Sequence, residues 1–320
     1  MLVELGNGPI PNTWERSPYM PRSIHVFSAH RAGEKPMEDA SPKVWRLGNY
    51  VVAGVADGAT RFPGSHGYPN PSPSALLAEL VSNTAMEYVK EQLRQHSKNP
   101  EPQNRFVKPE FLLDAIAEAN NVAFEFNKHL GLRTVAKADD LHMQLAASSL
   151  TLIAIESDST NIHRLFYSHV LDSQLWVGNP DEGFRLVTPV QSEAFKQVKQ
   201  ALRERDGVSS KDRIEMTRWL KSAILANIPH FPGQVTDWGY GTLNGDPFAQ
   251  EYFVTGEVML GVRDCVLLCT DDLGVTDGLL KEVVSSKLPE HVLPQLLAEA
   301  NSRDDLHIED VTAIFLSPAS

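Results

Sequence analysis

Residues 51 to 61 read Val51-Val52-Ala53-Gly54-Val55-Ala56-Asp57-Gly58-Ala59-Thr60-Arg61. The almost unbroken apolar run up to Ala56 predicts a strand that is covered on both faces. The run ends on Asp57, which is followed by Gly58. The common interpretation of this dipeptide is a turn at a strand end. A second interpretation is that the strand holds a carboxylate near solvent, and that the glycine lets the backbone approach whatever the carboxylate binds.

Composition and charge limit the classes of partner that the chain can have. Its 320 residues are 42% hydrophobic, and 41 Asp and Glu against 29 Lys and Arg give a formal net charge of −12. This charge argues against nucleic acid or an anionic membrane surface as a main partner. It suits a protein that gathers carboxylates around cations, and it equally suits a solvated acidic surface. The sequence carries no signal for an oligomeric state.

The chain shows no pattern typical of secretion or of insertion into a membrane. Its first residues lack the regions of a signal peptide, and no apolar run reaches the length of a membrane span. The two cysteines, Cys265 and Cys269, lie on one apolar run and have no zinc-like spacing to other ligands. We therefore expect a cytoplasmic protein with two buried, reduced thiols.

Apolar periodicity predicts a mixed order of strands and helices. Residues 1–22 are expected to form an N-terminal arm, and 23–320 a single domain with a polar surface insertion at about 190–250. Strands are predicted at 23–29, 44–47, 50–56, 145–155, 163–171, 174–178, 184–187, 258–260, 265–269 and 311–316, and helices at about 74–89, 110–130, 279–288 and 289–300. Ser74 is the expected N-cap of the first helix. Because strands and helices do not alternate regularly, we expect an α+β protein with two mostly antiparallel sheets and helices outside them.

Acidic residues mark the ends of four predicted strands. They are Glu38-Asp39, Asp57-Gly58, Asp271-Asp272 and Glu309-Asp310. Oxygen ligands of this kind suit hard cations such as Mg²⁺ and Mn²⁺, and a two-metal site needs several of them from separate strands. Any single cluster is also well explained by turn chemistry. The metal-binding interpretation depends on whether the clusters meet in space.

The same segments carry a resemblance to a known family. Met37-Glu38-Asp39-Ala40, Val55-Ala56-Asp57-Gly58, Leu267 to Leu273 (LLCTDDL) and Asp310-Val311-Thr312 resemble, in order, motifs of the metal-dependent protein phosphatases of the PPM (type 2C) class. Ala147 to Thr151 (ASSLT) and His169 to Leu175 (HVLDSQL) are similar to two further motifs of that family. The resemblance spans nearly the whole chain. It rests on the ordered set, since no single motif is specific.

The resemblance implies a four-layer α-β-β-α sandwich and hydrolysis of phosphoserine and phosphothreonine in proteins. A water molecule activated at a centre of two Mg²⁺ or Mn²⁺ ions would attack the phosphorus. Asp57 would bridge the ions, with the Gly58 carbonyl, Asp271 and either Glu309 or Asp310 as further ligands. Glu38 and Asp39 would hold water of the ions' hydration shells, so that Asp57 and Asp39 are the catalytic candidates. The insertion at about 190–250 would correspond to the family's flap.

Several positions depart from the family's motifs. Glu309 is one methylene longer than the family's Asp, Asp272 replaces a Gly, and Leu171 replaces another Gly. The residues after Gly58 lack the His that some members use as a general acid. The Arg that some members use to bind phosphate is also missing from its place. That role would fall to Lys35, Arg31 or Arg61.

These departures keep other functions open. One alternative is a catalytically weak or silent regulatory protein on the same fold, and another is a phosphatase for a small phosphorylated metabolite. A cysteine phosphatase is disfavoured because neither cysteine stands in a phosphate-binding signature. A serine hydrolase is disfavoured because Ser148-Ser149 lacks the G-x-S-x-G elbow.

Overall fold

The structure is a computed structural model. It describes residues 23–30, 38–59, 71–98, 109–134, 143–157, 163–179, 181–189, 239–270 and 310–317, together with isolated positions between 191 and 227. The arm predicted at 1–22 and the helices predicted at 279–300 lie outside these residues.

The described elements follow the predicted order closely. They are β1 (Ser23–His30), β2 (Lys43–Leu47), β3 (Tyr50–Val55), α1 (Pro73–Lys98), α2 (Glu110–His129), β4 (Leu150–Ser157), β5 (His163–Val170), β6 (Gln174–Asn179), β7 (Gly183–Leu186), a 3-10 helix (Pro247–Tyr252), β8 (Val254–Leu260), β9 (Cys265–Cys269) and β10 (Asp310–Ser317). Strand β4 begins at Leu150 rather than at residue 145.

The ten described strands form two five-stranded sheets. The first sheet has the order β1-β10-β9-β6-β7 and the second the order β2-β3-β4-β5-β8. Every pairing between these strands is antiparallel. The chain is therefore an α+β protein with two antiparallel sheets, as its element order predicted.

Strand β3 lies between two hydrophobic cores. Val51, Ala53 and Val55 pack in a core with residues of the first sheet such as Leu268. The alternate position Val52 belongs to a second core, which the helices also line. All six residues of β3 are buried. The prediction of a strand covered on both faces is confirmed.

Helices α1 and α2 pack against each other and against the second sheet. The buried positions of α1 recur at helical spacing: Leu77, Ala78, Val81, Ala85, Met86, Val89 and Leu93. Helix α1 begins at Pro73, one residue before Ser74, the predicted cap. The capping bond is instead made by Ser72, whose Oγ accepts from the Ala75 N–H at 3.0 Å. Ser72 is therefore the N-cap, and Pro73 takes the first helical position, where its missing N–H is not needed.

Residues 240–244 of the predicted insertion are buried, which corrects the expectation of a surface segment at these positions. Tyr240, Thr242, Leu243 and Asn244 are 3%, 2%, 0% and 6% exposed. Leu243 exchanges two backbone hydrogen bonds with Ser148, at 3.0 and 2.9 Å. The polar sequence is compatible with burial because these groups are satisfied by the neighbouring backbone.

Cys265 and Cys269 are both buried and free of disulfides. Among the helices described, none is both long and apolar enough to cross a membrane.

Candidate metal centre

Asp39 and Asp57 lie directly opposite each other on neighbouring extended segments. The hydrogen bonds flank the pair: Ala40 N–H to Ala56 O at 2.9 Å, and Gly58 N–H to Glu38 O at 3.1 Å. Asp39 and Asp57 are therefore a non-hydrogen-bonded pair, the arrangement that brings side chains closest, with Cβ atoms about 4.5–5.5 Å apart on one face. Like charges in this position repel each other. A cation shared by the two carboxylates would offset the repulsion.

The backbone of Asp57 is fixed by the two serines that precede β4. Asp57 N–H donates to Ser149 Oγ at 3.2 Å. The Asp57 carbonyl accepts from Ser149 N–H at 2.8 Å and from Ser148 Oγ at 2.9 Å. Ser149 Oγ in turn lies 2.6 Å from Ser173 Oγ, and Ser173 directly precedes β6. Asp57, which is partly exposed, thus projects from a strand end that is held by β4 and β6.

Thr270 ties the first sheet to Asp39. The Thr270 hydroxyl donates to Asp39 Oδ2 at 2.8 Å, across 231 positions of sequence. The same hydroxyl accepts from Thr312 N–H at 2.9 Å, and Thr270 N–H donates to Thr312 O at 3.0 Å. Thr270 directly precedes Asp271 in the sequence, and Thr312 follows Asp310 by two residues. Asp39 and Asp57, from two of the four acidic clusters, therefore lie at the same end of the sandwich as Thr270, the residue directly before a third cluster.

Glu38 and Gly58 lie against the start of helix α1. Glu38 is 4% exposed, and its Oε1 accepts a hydrogen bond from Ser72 Oγ at 2.5 Å. A Cβ atom on Gly58 would lie 2.7 Å from the carbonyl carbon and oxygen of Ser74. Only glycine fits there, because the contacting atoms are backbone. The structure thus places Glu38, Asp39, Asp57 and Gly58 together.

The other predicted site residues are described in part or not at all. Asp310 begins β10, opposite His30 of β1. Asp271, Asp272 and Glu309, and the candidate phosphate-binding residues Lys35, Arg31 and Arg61, lie outside the described residues. Within the part of the chain that the structure describes, no three His, Cys, Asp or Glu side chains are grouped so that they could hold a metal ion.

Sequence reasoning missed a buried histidine next to the serines. His169 is fully buried, and Thr151 Oγ1 lies 2.8 Å from its Nδ1. Its Nε2 lies 3.2 Å from the Pro189 carbonyl oxygen. Because a carbonyl can only accept, Nε2 carries the proton and Nδ1 accepts from Thr151. Burial lowers the pKa of His169 to about 4, so that the ring is neutral near pH 7.

Leu171 keeps a backbone conformation that glycine adopts more easily. Its φ is 82°, in the left-handed region. The side chain is buried with Tyr240, and Leu171 N–H donates to Gln191 Oε1 at 3.0 Å. The turn between β5 and β6 therefore accommodates Leu where the motif that it resembles has Gly, and packing offsets the backbone strain.

Comparison by sequence finds no relatives, whereas comparison by structure finds many. No family model and no curated protein match the chain. The Mycobacterium tuberculosis serine/threonine phosphatase PstP/Ppp is similar in structure, with 15% identity, a TM-score of 0.55, and coverage of 93% of this chain and 99% of that one. The S. agalactiae serine/threonine phosphatase has 13% identity, a TM-score of 0.53, and coverage of 92% and 99%.

A third similar structure is the catalytic domain of the serine/threonine protein phosphatase PstP in complex with two manganese ions. It shares 15% identity and a TM-score of 0.51, over 93% of this chain and 98% of that one. At such low identity the likeness establishes the fold. The chain therefore has the α+β fold of these serine/threonine phosphatases, as its resemblance to the type 2C family predicted.

Proposed function

We propose that the chain is a phosphoprotein phosphatase that hydrolyses phosphoserine and phosphothreonine with the help of two Mg²⁺ or Mn²⁺ ions. The observation that carries the proposal is the opposed pair of Asp39 and Asp57, joined to the first sheet through Thr270. The structural likeness to serine/threonine phosphatases, one of them a manganese complex, supports the same chemistry.

The donor atoms at this end of the sandwich fit a hard divalent cation. Carboxylate and carbonyl oxygens are the ligands that Mg²⁺ and Mn²⁺ prefer. Asp57 and the Gly58 carbonyl would hold the ions with Asp271 and with Glu309 or Asp310. Chain continuity supports Asp271, because it follows Thr270 directly and consecutive Cα atoms are about 3.8 Å apart.

The protein's own contribution is to place and orient charged groups. Two divalent ions, when bound, polarise phosphoryl oxygens and lower the pKa of water. Ser148 and Ser149 hold the backbone of Asp57 at the strand end, which fixes the point from which its carboxylate would reach the ions. Asp39, which accepts a hydrogen bond from Thr270, would accept a hydrogen bond or a proton from water beside Asp57. Glu38, next to Asp39 in the sequence, is held by a hydrogen bond from Ser72, which directly precedes α1.

The structural neighbours, which are serine/threonine phosphatases, support a phosphoprotein as the substrate. Lys35, Arg31 or Arg61 would bind the phosphate group. The net charge of −12 disfavours nucleic acid and anionic membranes as partners. We propose a cytoplasmic location, because neither Cys265 nor Cys269 forms a disulfide.

A catalytically silent regulatory protein is the second candidate. The changes at Asp272 and Glu309 favour it.

A phosphatase assay with added Mn²⁺ tests the proposal. We expect hydrolysis of a phosphoserine or phosphothreonine peptide, faster than that of a small phosphate ester. Asp57→Asn should reduce the rate at least about 100-fold, because a neutral amide holds divalent cations poorly. Asp181→Asn is the matched control, since Asp181 is an exposed carboxylate paired with Arg263 beyond the opposite end of β6.

Each result of this assay has a definite meaning. Full activity in Asp57→Asn would contradict the proposed site. A wild-type chain that binds Mn²⁺ but hydrolyses neither substrate would support the silent alternative. Faster hydrolysis of small esters than of phosphopeptides would support a metabolite phosphatase.

A further inference from the structure

We propose that Ser72 is a positioning residue for the metal centre and acts through Glu38. The inference rests on the proposed function and extends it to the first turn of helix α1. Ser72 is fully buried, so its hydroxyl must find its partners within the protein.

The Ser72 hydroxyl has one donor and uses it on Glu38. The Ala75 N–H donates to Ser72 Oγ at 3.0 Å, and this bond caps the helix. Glu38 Oε1 lies 2.5 Å from the same oxygen, and an ionised carboxylate can only accept. The hydroxyl proton therefore points at Glu38. A bond of this kind to a charged group is stronger than one between neutral groups.

The start of α1 is also in contact with the backbone beside Glu38. Gly58 N–H donates to Glu38 O at 3.1 Å, and the space at Gly58 is closed by the Ser74 carbonyl. Movement of the first turn would therefore displace both Glu38 and the residue that follows Asp57. The contact with Ser72 fixes the Glu38 carboxylate relative to the opposed pair of aspartates.

Electrostatics favour the same arrangement. The N-terminus of a helix carries a partial positive charge of about half an electron, which stabilises a nearby carboxylate. Helix α1 has 26 residues and begins at Pro73, next to Ser72. Glu38 adjoins Asp39 in sequence, and Asp39 opposes Asp57. The helix start thus offsets part of the negative charge that gathers at the centre, and Ser72 is the group that makes the contact.

Two substitutions separate the positioning role from simple capping. Glycine is nearly as good as serine at an N-cap, with a loss of only a few tenths of a kcal/mol, whereas alanine costs about 1 kcal/mol. Both remove the donor to Glu38. Ser72→Gly therefore keeps most of the stability of the helix start while it loses the contact with the carboxylate, and Ser72→Thr keeps both hydroxyl bonds.

The experiment measures Mn²⁺ binding to the full chain by calorimetry, alongside thermal unfolding of the metal-free protein. We expect Ser72→Gly and Ser72→Ala to weaken Mn²⁺ binding by about 10- to 100-fold, the usual effect of losing a group that orients a metal site from outside it. Ser72→Thr should bind as the wild type does. Ser209→Ala is the control, because Ser209 Oγ likewise accepts from a backbone amide, that of Asp212, and donates to the Asp212 carboxylate, but in an exposed segment.

A double-mutant cycle with Glu38→Ala shows whether Ser72 acts through Glu38. In that background Ser72→Gly should cause no further loss of affinity. Wild-type affinity in Ser72→Gly, or a full additional loss in the Glu38→Ala background, would overturn the inference and leave the proposed function intact. A wild-type chain that binds no Mn²⁺ would overturn both.

Discussion

Single hydroxyl groups hold the acidic residues of the proposed centre in place, two through the side chain and one through the backbone. Thr270 donates to Asp39, Ser72 donates to Glu38, and Ser149 accepts from the Asp57 backbone. Each of these hydroxyls is buried. A carboxylate that is oriented in this way before the cation arrives loses little freedom on binding, which favours tight binding.

Thr270→Val should destabilise the protein and weaken Mn²⁺ binding. The substitution preserves shape but removes the donor to Asp39 Oδ2 and the acceptor for Thr312 N–H. We expect a loss of about 2 to 3 kcal/mol in the free energy of unfolding, measured by urea denaturation. Thr270→Ser should restore most of it.

Thr255→Val is the control for this change. Thr255 Oγ1 also donates to an oxygen, the backbone carbonyl oxygen of Tyr167, but Thr255 lies on an exposed edge strand. We expect an effect below about 0.5 kcal/mol there. Equal losses at Thr255 and Thr270 would contradict the special role of the bond to Asp39.

Acidification should destabilise the protein through His169. Its pKa is about 4 in the folded chain against an ordinary 6.5, because burial disfavours the charged ring. Between these two values the unfolded chain binds a proton that the native chain does not. The free energy of unfolding therefore falls as the pH decreases from about 6.5 to about 4, by up to about 3 kcal/mol, and is unaffected by this group above that window.

The measurement is the urea midpoint as a function of pH in the wild type and in His169→Asn, whose amide oxygen can still accept from Thr151. The variant should show a shallower decline between pH 6.5 and pH 4. His163→Asn is the control, since partly buried His163 also pairs with a hydroxyl, that of Ser157. A decline in His169→Asn as steep as in the wild type would contradict the assignment.

The segment that follows strand β3 meets the start of helix α1 at Gly58, and this contact decides how closely the segment and the helix approach each other. Gly58→Ala would place a Cβ atom 2.7 Å from backbone atoms of Ser74 and 2.9 Å from the Glu38 carbonyl oxygen. No side chain can move aside there, so the helix start must shift.

We expect Gly58→Ala to cost about 1 to 3 kcal/mol in stability and to weaken Mn²⁺ binding. Thermal unfolding and calorimetry measure the two effects. Gly261→Ala is the control, since its nearest contact would be the Asp264 side chain at 3.4 Å. A Gly58→Ala variant with wild-type stability and affinity would show that this contact is not tight in solution.

The sequence predicted most elements because their patterns are local. The apolar run before Asp57 identified β3, and the spacing of Leu77, Val81 and Met86 identified α1. The cap was misplaced because Ser72 and Ser74 both qualify by residue type, and only the contact with Ala75 distinguishes them. The Ser72-Pro73 pair was a usable signal, since proline favours the first helical position.

Features that depend on contacts between residues distant in sequence could not be predicted from local patterns. The polar residues at 240–244 suggest a surface segment, yet Leu243 pairs with Ser148 in the interior. Burial of His169 depends on partners from β4 and from Pro189. The acidic pattern identified Asp39 and Asp57 as candidates, but their direct opposition is a matter of strand register.

The two sheets together bring residues from distant parts of the chain to one end of the sandwich. The second sheet carries Asp57 beyond β3, and the first carries Thr270 beyond β9 and Thr312 within β10. The bond between Thr270 and Asp39 joins them across 231 positions. The proposed metal centre would therefore lie between the two sheets, and it should stabilise the whole protein when filled.

Crystals of the wild type and of Asp57→Asn grown with Mn²⁺ test this account most directly, through anomalous scattering near the manganese edge. We predict two manganese peaks per wild-type chain, at least one within about 2.0 to 2.6 Å of an Asp57 carboxylate oxygen, and loss of one or both peaks in the variant. Wild-type crystals that show no manganese beside Asp57 at saturating Mn²⁺ would contradict it.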